Sequence, residues 1–380
     1  MKTFRHQQSS GIALIVVMIA IAVLSIMAAA FAFSMKVETK LAQNAEAEPQ
    51  LLWLGRSGVE LARWVLSQEA SIPGQRYDSL NQYWAGGTGS LTESNSVLAG
   101  VPLDHYPIGD GFVSLKIIDL DRKVNINTAN GPLLQQALTL MGVDADDISV
   151  ISDSILDWID SDDAPRIAGA ESDYYQSLTP PYYAKNAPID DLSELLLIKG
   201  IAEQPEIYWG TGSTNSNRPK QHLGFGHETG EIPDYPFGLK DVFTPTSSGR
   251  ININTADANV LQMIPGVDTN TAALIISTRN GPDGVEGNDD DTPFQSVNDL
   301  VRAGVSQQLA SQLGNFCTVR SSVFEVHVTA ELGDFKREYI ALVFRNSGTD
   351  IPVVSFYWDQ AASAGPSGAV TNQPSGTGSQ

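Results

Sequence analysis

Ile12-Ala-Leu-Ile-Val-Val-Met-Ile-Ala-Ile-Ala-Val-Leu-Ser-Ile-Met-Ala-Ala-Ala-Phe-Ala-Phe33 decides how the rest of the chain must be arranged. Its 22 residues carry no charge, and Ser25 is the only polar side chain among them. As an α-helix the stretch reaches about 33 Å, close to the hydrocarbon thickness of a bilayer. A soluble helix keeps a polar face and this one has none. A cleaved secretory signal has a shorter apolar core, so a retained transmembrane helix is the better reading. Lys2 and Arg5 precede the run and favour a cytoplasmic N-terminus, with the bulk of the chain exported.

That bulk is strongly acidic. Over the whole chain 44 Asp and Glu outnumber 23 Lys and Arg, giving a net charge of −21 and a pI near 4.4. Such a field repels phosphate backbones and suits cationic partners, metal ions included, so no nucleic-acid partner is expected. Cys317 is the single cysteine, which excludes an intrachain disulfide.

Beyond Phe33, Leu51, Leu54, Gly58, Leu61 and Val65 step by three and four, which predicts one apolar stripe on a continuing spine helix. Pro49 is expected to kink or interrupt that spine. Residues 71–111 read as loops with short elements. Phe112–Asp119 alternates as a strand, and Ser322–Ala330, Phe335–Phe344 and Pro352–Trp358 read as three more at the far end. Strands flanking a long helical middle predict an α+β fold with an inserted all-α domain. From Ala361 the tail is almost wholly Ala, Ser, Gly, Pro, Thr, Asn and Gln, too little apolar content to fold, and is expected to be disordered.

The middle is duplicated. Arg122-Lys-Val-Asn-Ile-Asn-Thr-Ala129 returns 127 residues later within Gly249-Arg-Ile-Asn-Ile-Asn-Thr-Ala256. Each copy continues into an amphipathic stretch and a Gly-Val turn, at Gly142-Val143 and Gly266-Val267, and then a second helix. In the first copy Ile148, Ile151, Ile155 and Ile159 form its stripe. A further Asp-Leu helix follows in each, ending at Gly200-Ile201 and Gly304-Val305. Thr128 and Thr255 are placed to cap the helices after them. The unit resembles the helix-hairpin-helix (SAM-like) repeat of DNA-uptake receptors and repair enzymes. In those proteins a Gly-apolar-Gly turn aims N–H groups at phosphate. Here Asp144 and Asp268 replace the second glycine and no lysine follows, so the fold is expected without the DNA function.

Ser10-Gly11 before Ile12 resembles a prepilin leader, in which a dedicated peptidase cuts after the glycine and leaves the apolar helix attached. Most pilin-like proteins carry Glu at the fifth mature position, which is Val16 here. The minor pseudopilin K of type II secretion (general secretion pathway protein K) lacks that Glu. An apolar residue suits a filament tip, where no neighbour above supplies an amine to pair with a buried carboxylate. Segments of that family also resemble Asp157-Trp-Ile-Asp160-Ser-Asp162-Asp163, Gly169-Ala-Glu171-Ser-Asp173-Tyr-Tyr175 and Pro180-Pro-Tyr182. With the leader, the duplicated segment and the terminal strands, the resemblance covers about residues 8–345.

The resemblance implies a pilin-like antiparallel sheet behind the transmembrane and spine helix, with the all-α domain inserted. It implies assembly with minor pseudopilins I and J at the tip of a periplasmic filament that exports folded proteins across the outer membrane. The setting would be a Gram-negative inner membrane, single-pass, with the head in the periplasm and the prepilin peptidase and membrane lipid as further partners. On this reading residues 1–11 are the leader, 12–33 the transmembrane helix and 34–120 the spine with the first part of the pilin-like domain. The inserted domain is 121–317, with repeats at about 121–205 and 249–317; 318–358 returns to the sheet and 359–380 is the tail. Rival readings are a membrane-tethered DNA-uptake protein and a minor pilin of a type IV pilus.

Two acidic clusters are candidates for Ca²⁺, which takes six to eight oxygens from flexible carboxylate-rich loops. One comprises Asp160, Asp162, Asp163, Glu171 and Asp173; the other Asp283, Glu286, Asn288, Asp289, Asp290 and Asp291. Neither has EF-hand spacing, and calcium sites are known in the family it resembles. His6, His105, His222, His227 and His327 form no HExxH pattern, and no nucleophile elbow, Walker loop or dinucleotide fingerprint occurs. His222, His227 and Glu228 share a Gly-rich loop that is a weak candidate for a transition metal. Cys317, beside Phe316, reads as core filler. A non-enzymatic role is expected.

Overall fold

A computed structural model describes residues 10–88, 97–211 and 234–359, with side chains from Leu14 onward. The leader ahead of Ser10, the loop carrying His222, His227 and Glu228, and the tail beyond Asp359 lie outside the described residues. Helix α1 (Ser10–Ala70) is 61 residues long and holds Pro49 in its interior. The break expected at Pro49 does not occur. Ala45, whose carbonyl loses its helical partner, lies on an exposed stretch where water can take that bond. An 18-residue window in the first part of α1 has a mean hydropathy of 2.9, and none of it is buried within the protein.

The second half of α1 lies across an antiparallel sheet. Its strands are β1 (Tyr106–Ile108), β2 (Gly111–Asp119), β7 (Val323–Leu332), β8 (Phe335–Phe344) and β9 (Val353–Trp358), side by side in that order. Leu51, Leu54 and Val65 of the predicted stripe are buried against Val113, Val326, Val328 and Ala341. Gly55 and Gly58 allow the close approach: a Cβ on Gly55 would collide with the Tyr339 ring, and one on Gly58 with Val328 Cγ1. Phe112 pairs with Glu331 and Asp119 with Phe324, so β2 and β7 stay in register to the point where the chain leaves the sheet.

Between those strands the inserted body has its own core, walled by short helices. It opens with strand β3 (Val124–Asn125), α2 (Gly131–Met141), α3 (Ala145–Ile159), α4 (Ser172–Gln176), α5 (Glu206–Trp209) and α6 (Leu239–Val242), and returns on β4 (Phe243–Thr244). The second passage runs through β5 (Ile251–Asn252), α7 (Ala258–Gln262), α8 (Thr269–Arg279) and α9 (Gln307–Leu313) to β6 (Cys317–Thr318). β3 pairs in parallel with β4, and β5 with β6. The ladder that closes the first passage therefore lies beyond residue 205, where the sequence repeat was expected to end. Glycines 142, 200, 266 and 304 all turn in the left-handed region, with φ of 82°, 87°, 86° and 88°. Gly142 caps α2 and Gly304 caps the 3-10 turn Val297–Ala303, while Gly200 and Gly266 turn the chain a few residues beyond Leu192–Leu197 and α7; a side chain at any of the four would strain.

The repeated Asn-Ile-Asn has a physical purpose in each copy. Asn127 donates from Nδ2 to Ile189 O (2.9 Å) and accepts from Ile189 N at Oδ1 (2.7 Å). Asn254 does the same with Phe294, at 3.0 and 2.9 Å. The first Asn of each copy accepts the N–H of the second, Asn125 from Asn127 (3.0 Å) and Asn252 from Asn254 (3.0 Å). Each motif thus clamps the backbone just ahead of the Asp-Leu turn of its own copy. The expected threonine caps are not used. Asn130 caps α2 through Leu133 N (3.1 Å), Asp257 precedes α7 without a side-chain cap, and Thr255 donates instead to Asp119 (2.6 Å).

That last contact belongs to the junction between sheet and inserted body. Asp119 is buried at the end of β2 and accepts from Asp121 N (2.8 Å), Thr255 Oγ1 (2.6 Å), Ser321 Oγ (2.6 Å) and Asn252 Nδ2 (3.3 Å). Asp121, also buried, takes Ser248 N (2.6 Å) and Ser322 N (2.7 Å). Asp78 takes Ser321 N (2.8 Å) and the Arg345 guanidinium. Burial, then the nearby Asp121 charge, push the Asp119 carboxyl up to about 7.

Two outcomes follow for unfolding measurements. Asn254→Ala strands the buried Phe294 N–H and C=O and should cost about 2 to 4 kcal/mol; Asn127→Ala, at a half-buried clamp, should cost less. A cost below that of an ordinary surface substitution in both would refute the clamp. Asp119 holds its proton more tightly folded than unfolded, so its contribution falls as pH rises from about 4 to about 7. Its slope is at most about 1.4 kcal/mol per pH unit. Chemical denaturation at intervals from pH 5 to 8 should show this fall in the wild type, flattened in Asp119→Asn.

Candidate functional site

The acidic loop between α3 and α4 is built on an aromatic wedge. Trp158, in the last turn of α3, meets Tyr175 of α4 edge-on at 5.3 Å, and Tyr175 stacks on Tyr182 at 5.2 Å. Trp158 Nε1 donates to Glu194 Oε2 (3.3 Å) and Tyr182 Oη to Leu197 O (2.7 Å), tying the wedge to the Asp-Leu turn. The aromatic residues of the three quoted segments fix both ends of the loop, leaving their acidic residues to line it. Gly169 passes so close to the Asp157 carboxylate that a Cβ there would overlap Oδ2.

Asp160, Asp162 and Glu171 each bring a carboxylate oxygen within 4.8 Å of the others, the one such group of metal-ligating side chains among the described residues. Glu171 is 3% exposed, and neither of its oxygens has a hydrogen-bond partner. Asp160 Oδ1 is likewise buried and unpartnered. Burial first, then the charges of Asp157, Asp160, Asp163 and Asp162, push the Glu171 carboxyl up to about 7. Asp163 sits at the rim, held below the usual carboxylate range by the Ser172 hydroxyl and its N–H (3.3 Å). Asp173 is exposed and outside the group. Buried carboxylate oxygens without donors are costly, and a hard cation is the partner that oxygen-only donors fit.

The sequence reading missed two residues of this site. Asp157, fully buried, accepts from Arg166 Nη1 (2.6 Å) and Arg166 N (3.1 Å to Oδ2), and the same Nη1 reaches Asp160 Oδ2 (2.5 Å). Asp157 and Asp160 are one helical turn apart, and Arg166 is the only cation between them and Glu171; that pairing was the available signal.

The second cluster does not converge. Glu286 pairs with the buried Arg279 (2.6 Å), Asp283 accepts from Val285 N (2.7 Å) and Asn288 Nδ2 (2.8 Å), and Asp289 accepts from Thr88 Oγ1 (2.5 Å). Asp290 accepts from Asp283 N (3.4 Å) and Asp291 from Gly287 N (2.8 Å). Asp291 Oδ1 stays buried without a partner, yet among the described residues no trio of carboxylates meets around it. The loop is held by its own donors and an internal arginine.

Elsewhere, Asp268 accepts from Thr271 N (2.7 Å), so the N-terminal amides of α8 that could have met a phosphate already hold a carboxylate. His327 lies against Glu325 (2.7 Å) on the sheet and His105 stacks on Phe112 (3.9 Å). Cys317 is buried, and that burial pushes its thiol up to about 12.

Comparison with known proteins converges on one family. A family model described as "Type II secretion system (T2SS), protein K" matches residues 115–206, the span that holds the acidic loop. A type II secretion system protein K of Pseudomonas aeruginosa is 24% identical over 91% of this chain and 92% of its own length. One from Aeromonas hydrophila is 26% identical over 52% of this chain, a match spanning 60% of that relative. Among solved structures, the GspK-GspI-GspJ complex of the type 2 secretion system of enterotoxigenic Escherichia coli contains a similar chain. It has a TM-score of 0.58 at 18% identity and covers 84% of this chain and 99% of that one, a likeness of fold. The end-to-end match to the Pseudomonas protein and the family match over the acidic loop both make the chain similar to type II secretion system protein K.

Proposed function

We propose that the protein is a minor pseudopilin that completes the tip of the type II secretion filament, together with partners of the I and J type. The observation that carries this reading is α1: its apolar first half is unburied, and its second half is built into the sheet. A helix so divided suits a membrane before assembly and neighbouring helices afterwards. The similar solved chain is one component of a three-protein complex with GspI and GspJ, which supports the same kind of partners here. Gly11 and Ile12 fall at the start of α1, where the prepilin peptidase would cut; the helix then holds the precursor in the inner-membrane lipid and the head in the periplasm. The role is structural rather than enzymatic, and the two helical passages act as helix-hairpin-helix-like scaffolding. Asp144 and Asp268 at their turns argue against a DNA-binding role.

Within that role, Asp160, Asp162 and Glu171 would hold a calcium ion, with Asp163 at the rim. The ion would supply the positive charge that three converging carboxylates lack, and would tie the end of α3 to the start of α4.

Three outcomes test these assignments. Gly11→Asp should leave the leader attached and abolish secretion; normal processing with intact secretion refutes the leader. Affinity purification of the processed protein should recover the I- and J-type pseudopilins. Ca²⁺ should raise the melting temperature and EDTA reverse it, with the response lost in Glu171→Gln and kept in an Asp289→Asn, Asp290→Asn double variant. No calorimetric response in the wild type refutes the ion.

A further inference from the structure

Among the described residues, Arg166 is the cation paired with a carboxylate of the acidic trio; Lys199 Nζ reaches the same loop only at the carbonyls of Ala168 (3.3 Å) and Gly169 (3.1 Å). Its backbone N–H is fixed on Asp157, and its Nη1 lies between Asp157 Oδ1 (2.6 Å) and Asp160 Oδ2 (2.5 Å). The two carboxylates differ in what remains to them. Asp157 is fully buried and spends both oxygens on Arg166. Asp160 spends only Oδ2, and its Oδ1 is buried without a partner. Asp160 is therefore shared between the guanidinium and the group it forms with Asp162 and Glu171.

An arginine placed in this way has two opposed effects. It neutralises part of a dense negative cluster, which keeps the loop closed when no ion is bound. It also puts a positive charge within hydrogen-bond distance of a ligand, where it repels an incoming cation and denies it one oxygen of Asp160. We infer that Arg166 is a built-in counter-cation that gives up Asp160 when a divalent ion binds and so sets the affinity of the site. The side chain is 39% exposed, so the guanidinium has solvent to move into. Its backbone bond to Asp157 can persist, which keeps the loop anchored while Asp160 Oδ2 is released for bidentate coordination. Ile167, fully exposed beside it, offers no packing that would resist the movement. The inference rests on the ion assignment made above.

A residue that merely braced the loop would show the reverse behaviour, because its loss would scatter the ligands and weaken binding. Titration calorimetry with CaCl₂ on the detergent-solubilised full chain separates the two. Arg166→Gln should bind Ca²⁺ about tenfold more tightly than wild type, since the charge-assisted contact to Asp160 Oδ2 no longer competes. Its ion-free form should melt lower while its Ca²⁺-saturated form melts as wild type does. Arg166→Lys, a compact charge without the planar fork, should fall between them. Unchanged or weaker binding in Arg166→Gln overturns the role of Arg166 and leaves the ion assignment standing. Absence of binding to the wild type overturns both. If the glutamine variant does not fold, the lysine variant decides: tighter binding supports the inference, and unchanged or weaker binding overturns it.

Discussion

Everything in the head depends on how buried charge is managed where the inserted body meets the sheet. Asp78, Asp119 and Asp121 are all buried there, against a single buried guanidinium, Arg345. Unpaired, such carboxylates would be prohibitive, so the surrounding chain supplies donors: serine hydroxyls, backbone N–H groups and the Asn252 amide. Those donors come from three separate stretches: the end of β2, the start of the second repeat and the approach to β7. The polar knot specifies which strand ends lie together, and a hydrophobic contact of equal area would specify that less sharply.

The same economy explains the duplicated motif. In both copies the second Asn replaces a strand partner by offering one donor and one acceptor to a single backbone residue, which is what a β-ladder would have done. The first copy leaves its Thr128 exposed, with a contact to its own turn at Asn125 O (3.3 Å). The second turns the matching Thr255 into the junction, so one repeated pattern serves two environments.

Much of this was legible from residues alone, because it rests on periodicity. The stripe on α1, the four long strands and the positive-φ glycines follow from spacing and from turn chemistry. What escaped depends on context that spacing does not encode. Pro49 reads as a breaker, but an exposed helix can hydrate the carbonyl it orphans. Thr128 and Thr255 look like caps, yet Asn130 outcompetes the first and Asp119 recruits the second. The two acidic clusters look alike in composition. They differ because the wedge of Trp158, Tyr175 and Tyr182 forces one set of carboxylates together, whereas Arg279 and local N–H groups hold the other apart.

The pairing of β2 with β7 up to Asp119 and Phe324 makes the whole inserted body, in topological terms, the loop of a β-hairpin. Closing a loop costs entropy that grows only as the logarithm of its length, but a loop of this size closes slowly if it must search as a coil. A body that folds first removes that search, since its own parallel ladders already draw its entry and exit together. The sheet can then zip from the root outward, with the insertion acting as a preformed turn.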